Sequence, residues 1–564
     1  MPNFSNYLQR HYEQTPDKVS ITLLFGGQPD HPVTFRELIH GASGYVQTYA
    51  QNGIQPGDVV LLILQHDINL LYAYYGAVLY GAIPSIMPFL TEKLLPERYR
   101  ADLAALVSVT QPTAIVTYRE FEPEVRAALK PGEDSVRAVI VSDQAEDPTP
   151  PDFASFGGLL RKPEDIVLLQ HSSGTTGLQK GVALSHQAVI NQLNNYGKAI
   201  RLTDADVFVS WLPLYHDMGL IACWLMPILM GYPLVLMSPF DWIRAPYRLL
   251  HAVSKYKGTL SWLPNFAYNF CAQKIRDRDL EGVDLSSWRA ISNCSEPMRW
   301  DSHQTFYARF RTLGLRYEAL TTCYAMAENV FAVTQGGIHA PVIYEDIDRE
   351  ILQTKKIAQV AQPGQIVVRM LGTGKPIFNT RVRIIDAKGH PLADRHVGEV
   401  AVQSDCMLTG YYHRPDATEK SFVDGWYLTG DFGYLVDGEL YITGRKKDLI
   451  IVGGKNIYPQ DLELLAYEVS GVHAGRASAF GVFNEAIGTE DVVMVAEVNM
   501  SDPVERQKIA DGIRATVTRG SAVALRYVHL VSPPWLVKTS SGKTARSANR
   551  EKFLKEMQAK GQMY

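Results

Sequence analysis

The chain has 564 residues, 46% of them hydrophobic and 20% charged, an ordinary globular composition in a chain too long for one core, so two or more domains are expected. A formal net charge of −4 leaves no electrostatic footprint for nucleic acid, and no nucleic-acid partner is expected. Five scattered cysteines (Cys223, Cys271, Cys294, Cys323, Cys406) form no Cys-x-x-Cys pair, which points to free thiols in a reducing, cytoplasmic setting.

The N-terminus lacks a basic start followed by an apolar run, so no secretory signal is expected. Residues 1–140 alternate helical segments with short apolar strands. Residues 59–64 read as a buried strand, followed by a helix over 67–80. Residues 114–117 and 138–141 read as two more strands. Strands separated by helices predict a parallel sheet covered on both faces. The proline- and acid-rich stretch 143–158 reads as a surface connector.

The apolar run from Asp165 to Leu169 then feeds Gln170-His171-Ser172-Ser173-Gly174-Thr175-Thr176-Gly177-Leu178-Gln179-Lys180-Gly181. Gly174 and Gly177 let the backbone turn its N–H groups inward. Ser172, Ser173, Thr175 and Thr176 add hydroxyl donors, and Lys180 adds a positive charge. That combination is a polyphosphate-holding loop. It is not a Walker A loop, whose lysine leads straight into a helix. Here an apolar run over 181–184 intervenes before the cap Ser185, so the order is strand, loop, strand, helix.

Residues 218–240 carry no charge and are long enough to cross a bilayer, but Gly231-Tyr232-Pro233 breaks them. A buried helix, a turn and a buried strand over 234–237 are expected, without stable membrane insertion. A second boundary falls at Gly444-Arg445-Lys446-Lys447-Asp448, after which a compact tail of strands and helices reaches residue 564.

These strings together resemble the adenylate-forming superfamily, and most closely its fatty acyl-AMP ligases. Leu212-Pro213-Leu214-Tyr215-His216-Asp217-Met218-Gly219-Leu220 is similar to their signature, which implies that His216 and Asp217 lie beside the acyl-adenylate. Trp262-Leu263-Pro264-Asn265-Phe266 resembles the strip that lines the acyl pocket. Small residues usually stand where Trp262 and Leu263 do. Their bulk either shortens the acyl tunnel or simply fills the core, and the string leaves both readings open.

Asn293-Cys294-Ser295-Glu296-Pro297 resembles the family's adenine-contacting turn. Cys323-Tyr324-Ala325-Met326-Ala327-Glu328 implies that Tyr324 stacks on adenine and that Glu328 holds magnesium. Asp431 and Arg445 match the ribose contacts, Lys447 the hinge, and Lys543 the catalytic lysine of the closing loop. The implied fold is α/β: a large N-terminal αβαβα domain with layered sheets over 1–446, and a small α+β C-terminal domain over 447–564.

The resemblance implies a two-step reaction. ATP activates a fatty acid as acyl-AMP with loss of pyrophosphate, and a thiol then takes the acyl group. An insertion near 343–365 resembles one that disfavours free coenzyme A, so an acyl carrier protein is the expected acceptor. A coenzyme A ligase is the alternative, and a non-catalytic nucleotide-binding module the distant one.

Overall fold

The computed structural model describes residues 2–89, 96–171, 180–452, 455–484, 489–521, 523–539 and 542–561. Near the N-terminus, the strands Ile83–Ile86, Val59–Ile63, Ala114–Thr117 and Ala138–Val141 lie side by side in that order, all parallel. Val59–Ile63 is buried at every position, as expected of a strand covered on both faces. The helix Ile68–Tyr80 starts where the Asp67 carboxylate accepts from the N–H groups of Asn69 and Leu70. It packs closely on the helix Phe35–Gln51. A Cβ at Gly76 would stand 2.5 Å from Tyr45 Cβ, so only glycine permits that approach.

A nine-stranded sheet forms the second layer. Its middle runs Leu320–Ala325, Ala290–Cys294, Leu260–Pro264, Phe208–Ser210, Leu234–Met237 and Val19–Leu24, all parallel, with antiparallel strands at its edges. One hydrophobic cluster joins the inner faces of both sheets, with Val60 and Leu62 on one side and Phe208 and Trp262 on the other. The charge-free segment 218–240 lies inside this core. It folds as the π-helix Met218–Leu225, the short helix Met226–Met230, a turn at Gly231 (φ 81°) and the strand Leu234–Met237. Among the described residues no helix is long and apolar enough to cross a membrane.

A third sheet, antiparallel, contains Thr380–Ile385, Gly398–Ser404, Trp426–Val436 and Glu439–Arg445. The tail builds its own cores. The sheet Ala477–Asn484, Thr489–Glu497 and Leu525–Val531 packs against the helices Pro459–Tyr467, Pro503–Ser521 and Arg546–Ala559. Among the described residues, its two hydrophobic clusters draw none from before Ile450. The architecture is thus α/β, with a large layered N-terminal part and a small α+β C-terminal part.

Candidate active site

Around the loop read from the sequence as phosphate-holding, the strands Ile166–His171 and Gly181–Ser185 pair antiparallel, and the helix His186–Ala199 follows, capped by Ser185. The strand, strand and helix of the sequence pattern are therefore present. Ser172, Ser173, Gly174, Thr175, Thr176 and Gly177 lie outside the described residues. Lys180 is described, and its Nζ stands 4.5 Å from the centre of the Tyr411 ring. Tyr411 belongs to the two-residue strand Gly410–Tyr411, which pairs with Gly181–Ser185. Its hydroxyl donates to Glu328 Oε1 at 2.9 Å. Glu328 opens the sequence onto Val330, a β-branched residue at φ 62°, a conformation held only under constraint.

Among the residues matched to nucleoside contacts in the sequence, Tyr324 donates its hydroxyl proton to Asp431 Oδ2 at 2.7 Å. Arg445 Nε stands 3.4 Å from Asp431 Oδ1, because Asp431 and Arg445 are register partners on neighbouring strands. Lys447 has its pKa lowered, first by desolvation and then by Arg445, with Lys180 contributing. The charges of Arg445, Asp431 and Lys180 all act on Lys447.

The adenine-turn residues end a strand of the nine-stranded sheet. Asn293 donates to Asn265 Oδ1 at 3.0 Å and approaches His303 Nε2 at 3.1 Å, so this side chain braces the acyl strip. Cys294 is fully buried and lies opposite Cys323 of the next strand, which is packing rather than nucleophilic chemistry. Ser295 takes a left-handed φ of 69°, which lets the chain turn sharply out of the sheet.

In the segment matched to acyl contacts in the sequence, the Asp217 carboxylate accepts from Met218 N at 2.8 Å and starts the π-helix, a rare form frequent at functional sites. His216 is pushed down to about 3 by burial and then by Lys543, so it is neutral at physiological pH. Its Nε2 is enclosed and has no hydrogen-bond partner among the described residues. Burial raises the carboxyl of Asp217, and Lys543 opposes that rise. Burial also raises Glu296, which accepts from Phe266 N at 2.9 Å, while Lys543 and Lys538 oppose it.

The charge of one tail lysine thus acts on His216, Asp217 and Glu296 together. A tight turn presents it: Gly542 sits at φ 82°, its N–H donates to the Thr539 carbonyl at 2.8 Å, and the Lys543 N–H donates to Thr539 Oγ1 at 3.1 Å.

Trp262 is 2% exposed. Its Nε1 donates to the Tyr196 hydroxyl at 2.8 Å, and Tyr196 donates in turn to Gln335 Oε1 at 2.8 Å. Its ring stacks on Phe208 at 5.6 Å. Both Trp262 and Leu263 fill the core. Pro264 ends that strand, Asn265 begins the next helix, and Phe266 is left 41% exposed. Sequence reasoning missed Tyr411 altogether, and it quoted Glu296 without a role. Neither carries a local signal beyond a Gly-Tyr pair and a turn.

A family model described as AMP-binding enzyme matches residues 8–412. The medium-chain-fatty-acid–[acyl-carrier-protein] ligase JamA of Moorena producens is 30% identical, with the alignment covering 98% of this chain and 96% of JamA. A solved chain from a study of fatty acyl-adenylate ligases of E. coli and L. pneumophila superposes with a TM-score of 0.88 at 27% identity, covering 99% of both chains. A fatty acyl-adenylate ligase from L. pneumophila, solved in complex with acyl adenylate and pyrophosphate, superposes with a TM-score of 0.74 at 29% identity, covering 98% of this chain and 96% of its own. By the extent of the family match and by the fold, the chain belongs to the AMP-binding enzyme family.

Proposed function

We propose that this enzyme activates a fatty or related carboxylic acid with ATP, releases pyrophosphate, and passes the acyl group to the phosphopantetheine thiol of an acyl carrier protein. The observation that carries the reading is the way the motif residues gather: Lys180 and Glu328 meet on Tyr411, Tyr324 and Arg445 meet on Asp431, and the Lys543 charge acts on His216, Asp217 and Glu296. The substrate carboxylate attacks the α-phosphorus in line, and the bond to pyrophosphate breaks. Negative charge grows on the phosphate oxygens in that step, and preorganised cations lower its energy. Lys543 faces the α-phosphate and Lys180 the departing pyrophosphate. Asp431 accepts from the ribose hydroxyls, Arg445 supports the same sugar, and Tyr324 stacks on adenine. Asn293, Cys294 and Ser295 frame the base through their backbone. His216, as a neutral imidazole, positions the adenylate rather than transferring a proton.

Among the described residues no three metal-ligating side chains stand together. Glu328 alone, with phosphate oxygens and water, suits magnesium, which takes one or two carboxylates and keeps its waters. Magnesium bound there neutralises charge on the phosphates.

The domain division at 446/447, with Lys447 as hinge, belongs to this reading, as does a cytoplasmic setting for its five free thiols. So does the choice of acceptor. The insertion at 343–365 is folded: Tyr344–Asp348 pairs with Val367–Leu371, and Ile347, Leu352 and Ala358 pack on Tyr434 and Tyr441. Arg349, on its helix, also donates to the Gly520 carbonyl in the tail. An insertion anchored at both ends restricts the second half-reaction to an acceptor that fits it, and JamA is named for a carrier-protein acceptor. Offering fatty acid, ATP and coenzyme A is the test: acyl-AMP should accumulate, and efficient acyl-CoA formation would overturn the choice of acceptor.

A further inference from the structure

We infer that Tyr411 is a positioning residue that sets the spacing between Lys180 and Glu328 for a triphosphate and its divalent cation. The inference rests on reading those two residues as the polyphosphate end of the site. Lys180 and Glu328 come from distant parts of the chain and carry opposite charges. Without something between them, ammonium and carboxylate would draw together and satisfy each other.

The Tyr411 side chain engages both at once. Its ring face takes the Lys180 ammonium at 4.5 Å, and its hydroxyl donates to Glu328 Oε1 at 2.9 Å. The side chain is 6% exposed. The Tyr427 hydroxyl lies 2.9 Å from the Tyr411 hydroxyl. Tyr411 has one hydroxyl proton, and an ionised carboxylate only accepts, so that proton goes to Glu328 and Tyr427 donates to the Tyr411 oxygen. The resulting chain, Tyr427 to Tyr411 to Glu328, polarises in one direction and strengthens its last bond.

The backbone of the same segment braces the same two partners. The Tyr412 N–H donates to the Gly181 carbonyl at 2.7 Å, immediately after Lys180. The Leu408 N–H donates to the carbonyl of Glu328 itself at 2.8 Å. Residues 408–412 therefore hold both backbones while Tyr411 holds both side chains. Tyr411 also donates its own N–H to Thr418 Oγ1 at 2.9 Å, which fixes the strand from its other edge.

The two halves of the device separate by substitution. Tyr411→Phe keeps the ring under Lys180 and removes the donor to Glu328. Tyr411→Leu removes both. Calorimetric binding of a non-hydrolysable ATP analogue, titrated with magnesium, reads the consequence without turnover. Tyr411→Phe should raise the magnesium concentration for half-maximal analogue binding by about tenfold, the scale of one hydrogen bond to a charged group. In pyrophosphate exchange the change should fall on the magnesium requirement and on KM for ATP more than on kcat. Tyr411→Leu should in addition weaken analogue binding without magnesium. Glu328→Gln tests the underlying reading separately, and adding Tyr411→Phe to it should produce no further shift. If Glu328→Gln moves the magnesium dependence and Tyr411→Phe does not, the positioning role is wrong and the site reading stands. If Glu328→Gln moves nothing, both fall. Thermal unfolding of each variant identifies loss of fold, and Tyr411→Phe, which keeps the ring, decides the matter should Tyr411→Leu unfold.

Discussion

Arg299 and Asp461 meet at 3.3 Å across the junction between the large part and the tail. Arg299 immediately precedes the helix Trp300–Phe310, and its N–H donates to Asn265 Oδ1 in the acyl strip. Asp461 lies in the first turn of the helix Pro459–Tyr467, where the helix dipole favours a carboxylate. The ion pair thus links the tail to the segment beside the acyl strip, and in the proposed reaction this is the arrangement in which Lys543 acts. Arg299→Ala should slow acyl-adenylate formation by up to about fivefold, the scale of ~1 kcal/mol for such a pair. Transfer from preformed adenylate to the acceptor should not slow. Equal slowing of both half-reactions would count against this.

In the proposed reaction Lys543 is the tail cation at the α-phosphate, and Lys543→Ala removes it. Pyrophosphate exchange should fall by a factor of roughly 10² to 10³, as when one preorganised donor is lost. Binding of an ATP analogue should change far less, because the ribose and pyrophosphate contacts belong to the large part. An analogue affinity that fell as far as the rate would assign Lys543 to ground-state binding instead.

Asp431 is held from two sides, by the Tyr324 hydroxyl and by Arg445. Asp431→Ala should raise KM for ATP by more than about tenfold, since it removes a charged acceptor and leaves both partners unmatched. Tyr324→Phe, which removes only one donor and keeps the ring, should cost less. Steady-state kinetics on the pair checks the order.

Five histidines, three buried (His171, His186, His303) and two half-buried (His66, His216), shape the response to acid. His66, His171, His186 and His303 are each pushed down to about 4 by burial, and His216 to about 3. Their unfolded value is 6.5. The unfolded chain therefore binds more protons below that value, so stability is complete above pH 6.5 and is lost as pH falls toward 4. Asp217 and Glu296, whose values are raised, act in the opposite sense near the carboxylate range. Denaturant midpoints at pH 7, 6 and 5 should fall in that order. A midpoint that stayed constant would show that these rings take up no protons on unfolding.

Trp262 closes the core beneath the acyl strip, tied to Tyr196 and stacked on Phe208. Trp262→Gly should leave the preferred acid length unchanged in a pyrophosphate-release screen, because the side chain fills the core. It should also lower stability by about 3–5 kcal/mol, as large-to-small changes in a core do. A shift toward longer acids in a folded variant would show that Trp262 also bounds the acyl tunnel.

Much of this molecule is legible without coordinates. The runs 59–64, 114–117 and 138–141 become parallel strands because continuous apolar β-branched segments between helices have few other ways to hide both faces. Gly231-Tyr232-Pro233 breaks the charge-free segment where it should, since a glycine at φ 81° ends the helix before it. Glu328, Asp431 and Lys543 stand out because each sits in an ordered string of unusual residues.

The tertiary structure alone decided how those residues are held. Tyr411 pairs with Glu328 across 83 residues, and Arg299 with Asp461 across 162. The direction in which Trp262 points was open in the sequence and closed by Tyr196 and Phe208. Periodicity and turn chemistry act over a few residues, so they specify elements and motifs. The distance between two charges depends on how whole layers pack, and no local pattern encodes it.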